Sequence, residues 1–230
     1  MITAVIFDID GTLVDSVDLH AAAWTAAFEK YGKKIAFGDV RRHIGKGGDQ
    51  LLPVFFSPKE LQELGEEIEQ YRGELFQRDY LPRVTAFPQT RALFERITQE
   101  GKRIALASSA KEKELETYKA LARIGDLLVG ETSADEVEHS KPHPDVFAAA
   151  LTKLGNPPIE EVIVVGDTPY DAGAAGKLHL RTVGILCGGW TEEELRQAGC
   201  VAIYRDPAAL LTHYNESPLA QETARSTARR

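Results

Sequence analysis

Residues 5 to 16 read Val-Ile-Phe-Asp8-Ile-Asp10-Gly11-Thr12-Leu-Val-Asp15-Ser16, which sets two carboxylates two positions apart at the end of an apolar run. A β-branched and aromatic run of this kind reads as a buried strand. Residues two apart on a strand share a face, so both acids would crowd one spot if the strand reached Asp10. If the strand ends at Asp8, the turn can aim the two around one reacting centre. Paired acids at a buried strand end are costly unless a cation or a shared proton compensates them. The segment therefore points to a metal, a proton transfer, or both. The plainer reading is a strand terminator with Asp10-Gly11 as turn chemistry.

Further polar groups follow other apolar runs. Ser108 and Ser109 follow 104–107, and Gly166-Asp167-Thr168 with Asp171 follows 162–165. Lys141 stands in Ser140-Lys141-Pro142-His143-Pro144, ahead of a helical pattern. Singly, these read as a helix N-cap, a surface lysine and a turn aspartate. Jointly they fall at the carboxyl ends of strands, where parallel sheets bind ligands. Carboxylates suit Mg²⁺, which takes oxygen ligands and keeps waters or substrate phosphate. A lysine and turn amides suit a phosphoryl group. Together the set points to phosphoryl transfer.

The elements that must hold these groups follow an alternating pattern. Residues 17–32 carry apolar positions at helical spacing with Gly32 as a stop. Residues 39–56 read as a helix interrupted by Gly45-Lys46-Gly47-Gly48, and 58–78 as a charged amphipathic helix with Pro58 in its first turn. About 60 residues thus pass without a strand. From residue 84 helices and strands alternate: helices near 89–100, 111–123, 143–154, 169–178 and 191–198, strands at 103–107, 127–129, 162–166, 182–185 and 201–204. Such alternation predicts a parallel sheet covered on both faces.

The chain has 230 residues, 43% of them hydrophobic and 27% charged, with a formal charge of −8. That length buries a substantial core. Without a basic surplus a nucleic-acid partner is not favoured. No apolar run approaches the roughly 18 residues of a membrane span, and no secretory signal is visible at the start. Cys187 and Cys200, the two cysteines, fit a reducing cytosol, so the expected setting is cytoplasmic.

In order, the four segments resemble the motifs of the haloacid dehalogenase-like hydrolase superfamily: Asp8-Ile9-Asp10-Gly11-Thr12, Ser108 after its strand, Lys141 in Ser-Lys-Pro-His-Pro-Asp, and Gly166-Asp167-Thr168-Pro169-Tyr170-Asp171. The resemblance implies an α/β fold with a Rossmann-like parallel sheet core, helices on both faces and an inserted α-helical cap. The core would comprise residues 1–15 and 82–215, the cap 16–81, with linkers near 14–17 and 79–84. Residues 216–230 are expected to be a flexible tail. The resemblance further implies Asp8 as nucleophile, Asp10 as general acid and base, and Mg²⁺ held by Asp8, the Asp10 carbonyl, Asp167 and Asp171. Ser108 and Lys141 would hold phosphoryl oxygens, assisted near Gly11, Thr12 and Ser109.

Within that superfamily the chain resembles the phosphoglycolate phosphatase and β-phosphoglucomutase-like branch. Dehalogenases and phosphonoacetaldehyde hydrolases lack an acid at the position of Asp10, which sets both aside. Asp15-Ser16 and His20-Ala-Ala-Ala-Trp24 resemble the mutase entry into its cap. The mutase's cap arginine aligns with Gly48, whereas Ile44-Gly45-Lys46-Gly47-Gly48-Asp49 resembles phosphoglycolate phosphatase. A phosphatase acting on a small phosphorylated metabolite is the expectation, with a phosphosugar mutase as its alternative and a non-catalytic binding module as a third. Ser16, His20, Lys46 and Gly47 are the cap residues expected to select the substrate.

Overall fold

The computed structural model describes residues 1–220. Its strands are β1 (Ala4–Phe7), β2 (Val14–Asp15), β3 (Thr85–Ala86), β4 (Arg103–Ala107), β5 (Gly130–Thr132), β6 (Val162–Gly166), β7 (Arg181–Ile185) and β8 (Cys200–Tyr204). Six of them form one sheet in the order β5-β4-β1-β6-β7-β8, with every ladder parallel. β1 is central, paired to β4 on one side and β6 on the other. Its side chains alternate between faces: Val5 and Phe7 join one hydrophobic cluster with Ile163 and Val165, Ala4 and Ile6 the opposite one with Val162 and Val164. A strand buried on both faces needs apolar residues at every position, which explains the unbroken runs in β1 and β6.

Between β2 and β3 the chain makes α1 (Val17–Lys30), α2 (Phe37–Arg41), α3 (Gly48–Phe55) and α4 (Pro58–Leu75). These helices share a hydrophobic cluster of their own, with Trp24, Phe28, Leu51 and Ile68 at its centre. Ser57 and Glu60 form a reciprocal capping box at the start of α4, with Pro58 in its first turn. The chain leaves and re-enters the sheet layer through a two-stranded antiparallel ribbon pairing Val14 with Ala86 and Asp15 with Thr85. The remaining helices, α5 (Thr90–Gln99), α6 (Glu112–Ala122), α7 (Asp145–Lys153), α8 (Pro169–Lys177), α9 (Glu192–Gln197) and α10 (Pro207–Thr212), complete the alternation. Among the described residues, no helix is long and apolar enough to cross a membrane.

Two expectations need correction. The strand expected at 127–129 lies at Gly130–Thr132, after a 3₁₀ turn at Gly125–Leu127. It is an edge strand, so backbone pairing to β4 holds it without an apolar sequence. The expected tail begins too early: Ser217 and Leu219 are buried, and Leu219 joins the main sheet cluster. Positions 221–230 of that tail lie outside the described residues.

Candidate active site

Asp8 follows β1 directly, and its N–H donates to the Val165 carbonyl at 2.9 Å, which extends the ladder by one residue. The chain then turns: the Gly11 N–H donates to the Val14 carbonyl and the Thr12 N–H to the Ile9 carbonyl. The Gly11 amide, expected near a phosphoryl group, is thus spent inside the turn, as is that of Thr12. Gly11 has φ +80°, and a Cβ there would fall 2.4 Å from Asp167 Oδ2. Only glycine allows both that conformation and that approach. The Thr12 hydroxyl sits 3.1 Å from Asp8 Oδ2 and 3.0 Å from Asp167 Oδ1, between two carboxylates.

Lys141 is fully buried. Its Nζ contacts Asp8 Oδ1, lies 2.7 Å from Asp171 Oδ1, and donates to the Ala107 carbonyl at 2.9 Å. Ser108, also fully buried, follows β4, and its Oγ accepts the Ala110 N–H at 3.0 Å. Asp171 works at two points, since its Oδ2 accepts the N–H and hydroxyl of Thr168 and caps α8. The ends of β1, β4 and β6 and the loop before α7 thus bring Ser108, Lys141 and three acids together.

The acids repel one another. Burial foremost pushes the Asp8 carboxyl up to about 7; Asp171 and Asp10 add to the rise and Lys141 opposes it. Asp167 is driven well above the usual range by burial, then by Asp8 and Asp171. Burial works to lower Lys141, but Asp171 and Asp8 outweigh it and hold the ammonium charged. One oxygen each of Asp8, Asp167 and Asp171 lies within 4.8 Å of the others. Asp167 Oδ2 is buried without a hydrogen-bond partner. An all-oxygen set with an orphaned carboxylate oxygen is the donor chemistry of a hard divalent cation, so these residues fit Mg²⁺.

Asp10 engages a different set of partners. Its Oδ1 accepts the Ser16 hydroxyl at 2.5 Å and lies 2.9 Å from His20 Nε2. Arg72 Nη2 lies 2.6 Å from His20 Nδ1. Arginine has only donors, so Nδ1 must be the acceptor and the ring proton sits on Nε2, facing Asp10. Phe76 stacks on the imidazole at 3.9 Å, and the Tyr118 hydroxyl lies 3.1 Å from Nε2. Burial would raise Asp10, but His20, Ser16 and Arg72 together hold it below the ordinary carboxylate range. Two neighbouring acids therefore have opposite surroundings, which is how acid–base roles are separated.

From the helical segment, Lys46 Nζ lies 3.1 Å from His43 Nδ1 and 4.8 Å from the centre of the Tyr170 ring. Gly47 donates its N–H to Ser140 Oγ at 2.8 Å, and Ser109 Oγ reaches the Gly45 carbonyl at 3.4 Å. A cavity of about 40 Å³ is lined by Asp8, Asp10, His20, Lys46 and Ser109. Arg72 and Glu114 also line it, and sequence reasoning missed both. Their one visible signal was that Arg72 is the sole basic residue between positions 60 and 75. Gly48, the position aligned with a mutase arginine, faces Glu69, and Arg72 of α4 lines the cavity.

A parallel α/β sheet with acids, serines and a buried lysine at its carboxyl edge defines a hydrolase of the phosphoryl-transfer type. Residues 5–185 match the family described as Haloacid dehalogenase-like hydrolase, and the chain belongs to that family. It is similar to the Phosphorylated carbohydrates phosphatase of Thermotoga maritima, 28% identical over 88% of this chain and 94% of the relative. It is also similar to the Phosphoglycolate phosphatase of Aquifex aeolicus, 28% identical over 80% of this chain and 84% of the relative. A crystal structure of a hydrolase from Pseudomonas syringae superposes with a TM-score of 0.82, at 31% identity over 94% of this chain and 99% of that one. The protein is an enzyme of the family's phosphatase type.

Proposed function

We propose that the enzyme is a Mg²⁺-dependent phosphatase that hydrolyses a small phosphate monoester through an aspartyl-phosphate on Asp8. The observation that carries this reading is the divergence of Asp8, set among Lys141 and two further acids, from Asp10, set against Ser16 and His20. The Asp8 carboxylate, the Asp10 carbonyl and Asp167 would hold Mg²⁺, with Asp171 beside them. When bound, the ion offsets the charge of the acids and of the phosphoryl group. Asp8 attacks phosphorus, the bond to the leaving oxygen breaks, and Asp10 gives that oxygen its proton. A dianionic ester beside Asp10 raises its proton affinity and so supplies the acid form. Water then attacks the acyl phosphate, Asp10 takes a proton from it, and phosphate and the Asp8 carboxylate are released. Lys141 and Ser108 hold the phosphoryl oxygens throughout.

Residues 16–81 act in this reading as a cap that presents Ser16, His20, Lys46 and Gly47 to a small phosphorylated metabolite in the cytoplasm. The relatives' names support phosphate monoesters but differ in the leaving group, a carbohydrate in one and glycolate in the other. A second reading, a phosphosugar mutase, gains from Arg72, because a mutase needs a cation for the distal phosphate. Incubation with β-glucose 1-phosphate separates the two: phosphate release supports the phosphatase, and net conversion to glucose 6-phosphate supports the mutase. Mg²⁺-dependent hydrolysis of p-nitrophenyl phosphate, run beside Asp8→Asn, tests the reaction itself; equal rates in both proteins sink it.

A further inference from the structure

The ion pair Arg72–Glu114 lines both the cavity over Asp8 and Asp10 and a larger neighbouring one of about 250 Å³. Glu114 stands in the first turn of α6 and is 1% exposed. Its Oε1 makes no hydrogen bond, and neither does the buried Arg72 Nε. Nη1 and Oε1 stand 3.8 Å apart, an ion pair without a hydrogen bond. Buried polar atoms without partners are costly unless a ligand satisfies them. Arg72 also stacks between Trp24 and Phe76, 5.0 and 5.2 Å from their ring centres, and is tied to His20, so the pair is held in place.

A hydroxyl group can donate to a carboxylate and accept from a guanidinium at once, whereas an anion can only accept. The carboxylate of Glu114 thus rewards a donor and repels a second negative charge. The larger cavity extends the same bias, because Asp49, Glu69, Asp135 and Glu138 line it as well. Against these five acids stand three cations, Lys46, Arg72 and Lys111. Of the three, Arg72 is already offset by Glu114, and Lys46 is turned to His43 and Tyr170.

Resting on the phosphatase reading, we infer that the leaving group is a neutral polyhydroxylated carbon skeleton, a sugar or polyol, whose hydroxyls bridge Glu114 and Arg72. Glu114 is the residue that turns away anionic leaving groups such as glycolate or a second phosphate.

The test compares kcat/KM for glucose 6-phosphate, sorbitol 6-phosphate, phosphoglycolate and pyrophosphate in the full-length protein. The unaltered enzyme should favour the two neutral leaving groups by at least about tenfold, the scale set by one like-charge contact in a desolvated site. Glu114→Gln frees Arg72 for an anion and should cut that preference by about tenfold. Glu114→Asp keeps the charge and should keep the direction of the preference, which guards against a Gln variant that folds poorly. Preference of the unaltered enzyme for phosphoglycolate or pyrophosphate overturns the inference, as does a ratio that neither variant moves. Should no ester release phosphate, the phosphatase reading fails on its own. Calorimetric binding of glucose 6-phosphate and phosphoglycolate to the unaltered and Glu114→Gln proteins then decides: tighter sugar-phosphate binding that Gln abolishes supports the subsite, and equal binding overturns it.

Discussion

Asp49, at the start of α3, accepts the backbone N–H of Ser140 at 3.0 Å, and Ser140 immediately precedes the buried Lys141. The Ser140 hydroxyl also contacts Asp49 and accepts the Gly47 N–H at 2.8 Å. The helical segment is therefore fastened to the same loop that brings the ammonium to Asp8. Asp49→Ala removes the fastening and lowers the population of the assembled site, so KM should rise by about tenfold with a smaller change in kcat. Steady-state kinetics check this, and an unchanged KM argues that the contact is incidental.

On the proposed mechanism, Asp8→Asn replaces the attacking carboxylate by an amide that cannot form the acyl phosphate. Turnover should fall at least about a thousandfold, as when other covalent nucleophiles are removed. The fold should survive, because the change also removes one of three mutually repelling carboxylates while Lys141 keeps Asp171. Thermal melting alongside the assay separates loss of chemistry from loss of structure.

His20 donates to Asp10 and should matter in proportion to how badly the leaving oxygen needs a proton. His20→Ala is expected to slow an alkyl phosphate by about a hundredfold, the lower range of general-acid effects. p-Nitrophenolate leaves without much help, so its release should slow far less. A uniform loss on both esters would assign His20 to packing against Phe76 instead.

On the Mg²⁺ reading, proton and cation compete for the acid cluster. The Asp8 carboxyl, raised from 3.8 to about 7 chiefly by burial, binds more protons in the folded than in the unfolded chain between those values. The stability from this group is thus full below pH 4 and lost as pH rises through 7. Mg²⁺ needs the carboxylate forms, so its stabilisation, about 2.7 kcal/mol at a hundredfold excess over Kd, should be larger at pH 8 than at pH 5. Melting temperatures with and without Mg²⁺ at the two pH values test this; equal shifts would remove the cluster as the metal site.

Leu219 lies in the main sheet cluster and is fully buried. Leu219→Ala should cost about 2–5 kcal/mol, measured by urea unfolding. A loss below 1 kcal/mol would mean that the segment after α10 contributes little to the core.

The sequence alone determined the elements whose signal is local. The apolar runs of β1, β6 and residues 104–107 of β4 show a sheet covered on both faces, because every position in them is buried. Asp8, Asp10, Ser108, Lys141, Asp167 and Asp171 were legible because each ends such a run or opens the helix after it, and strand ends converge in a parallel sheet. Arg72, Glu114 and Tyr118 were not, since each sits in a helix whose charged pattern also suits a solvated face. Their place beside the acids depends on which side of α4 and α6 turns inward, and that is fixed by packing between distant segments. The same holds for the two opening acids. Spacing shows that they are paired, but only the tertiary structure decides that Asp8 meets Lys141 while Asp10 meets His20. Those partners come from 133 and 10 residues away, and electrostatic surroundings at such separations are a property of the fold, not of the motif.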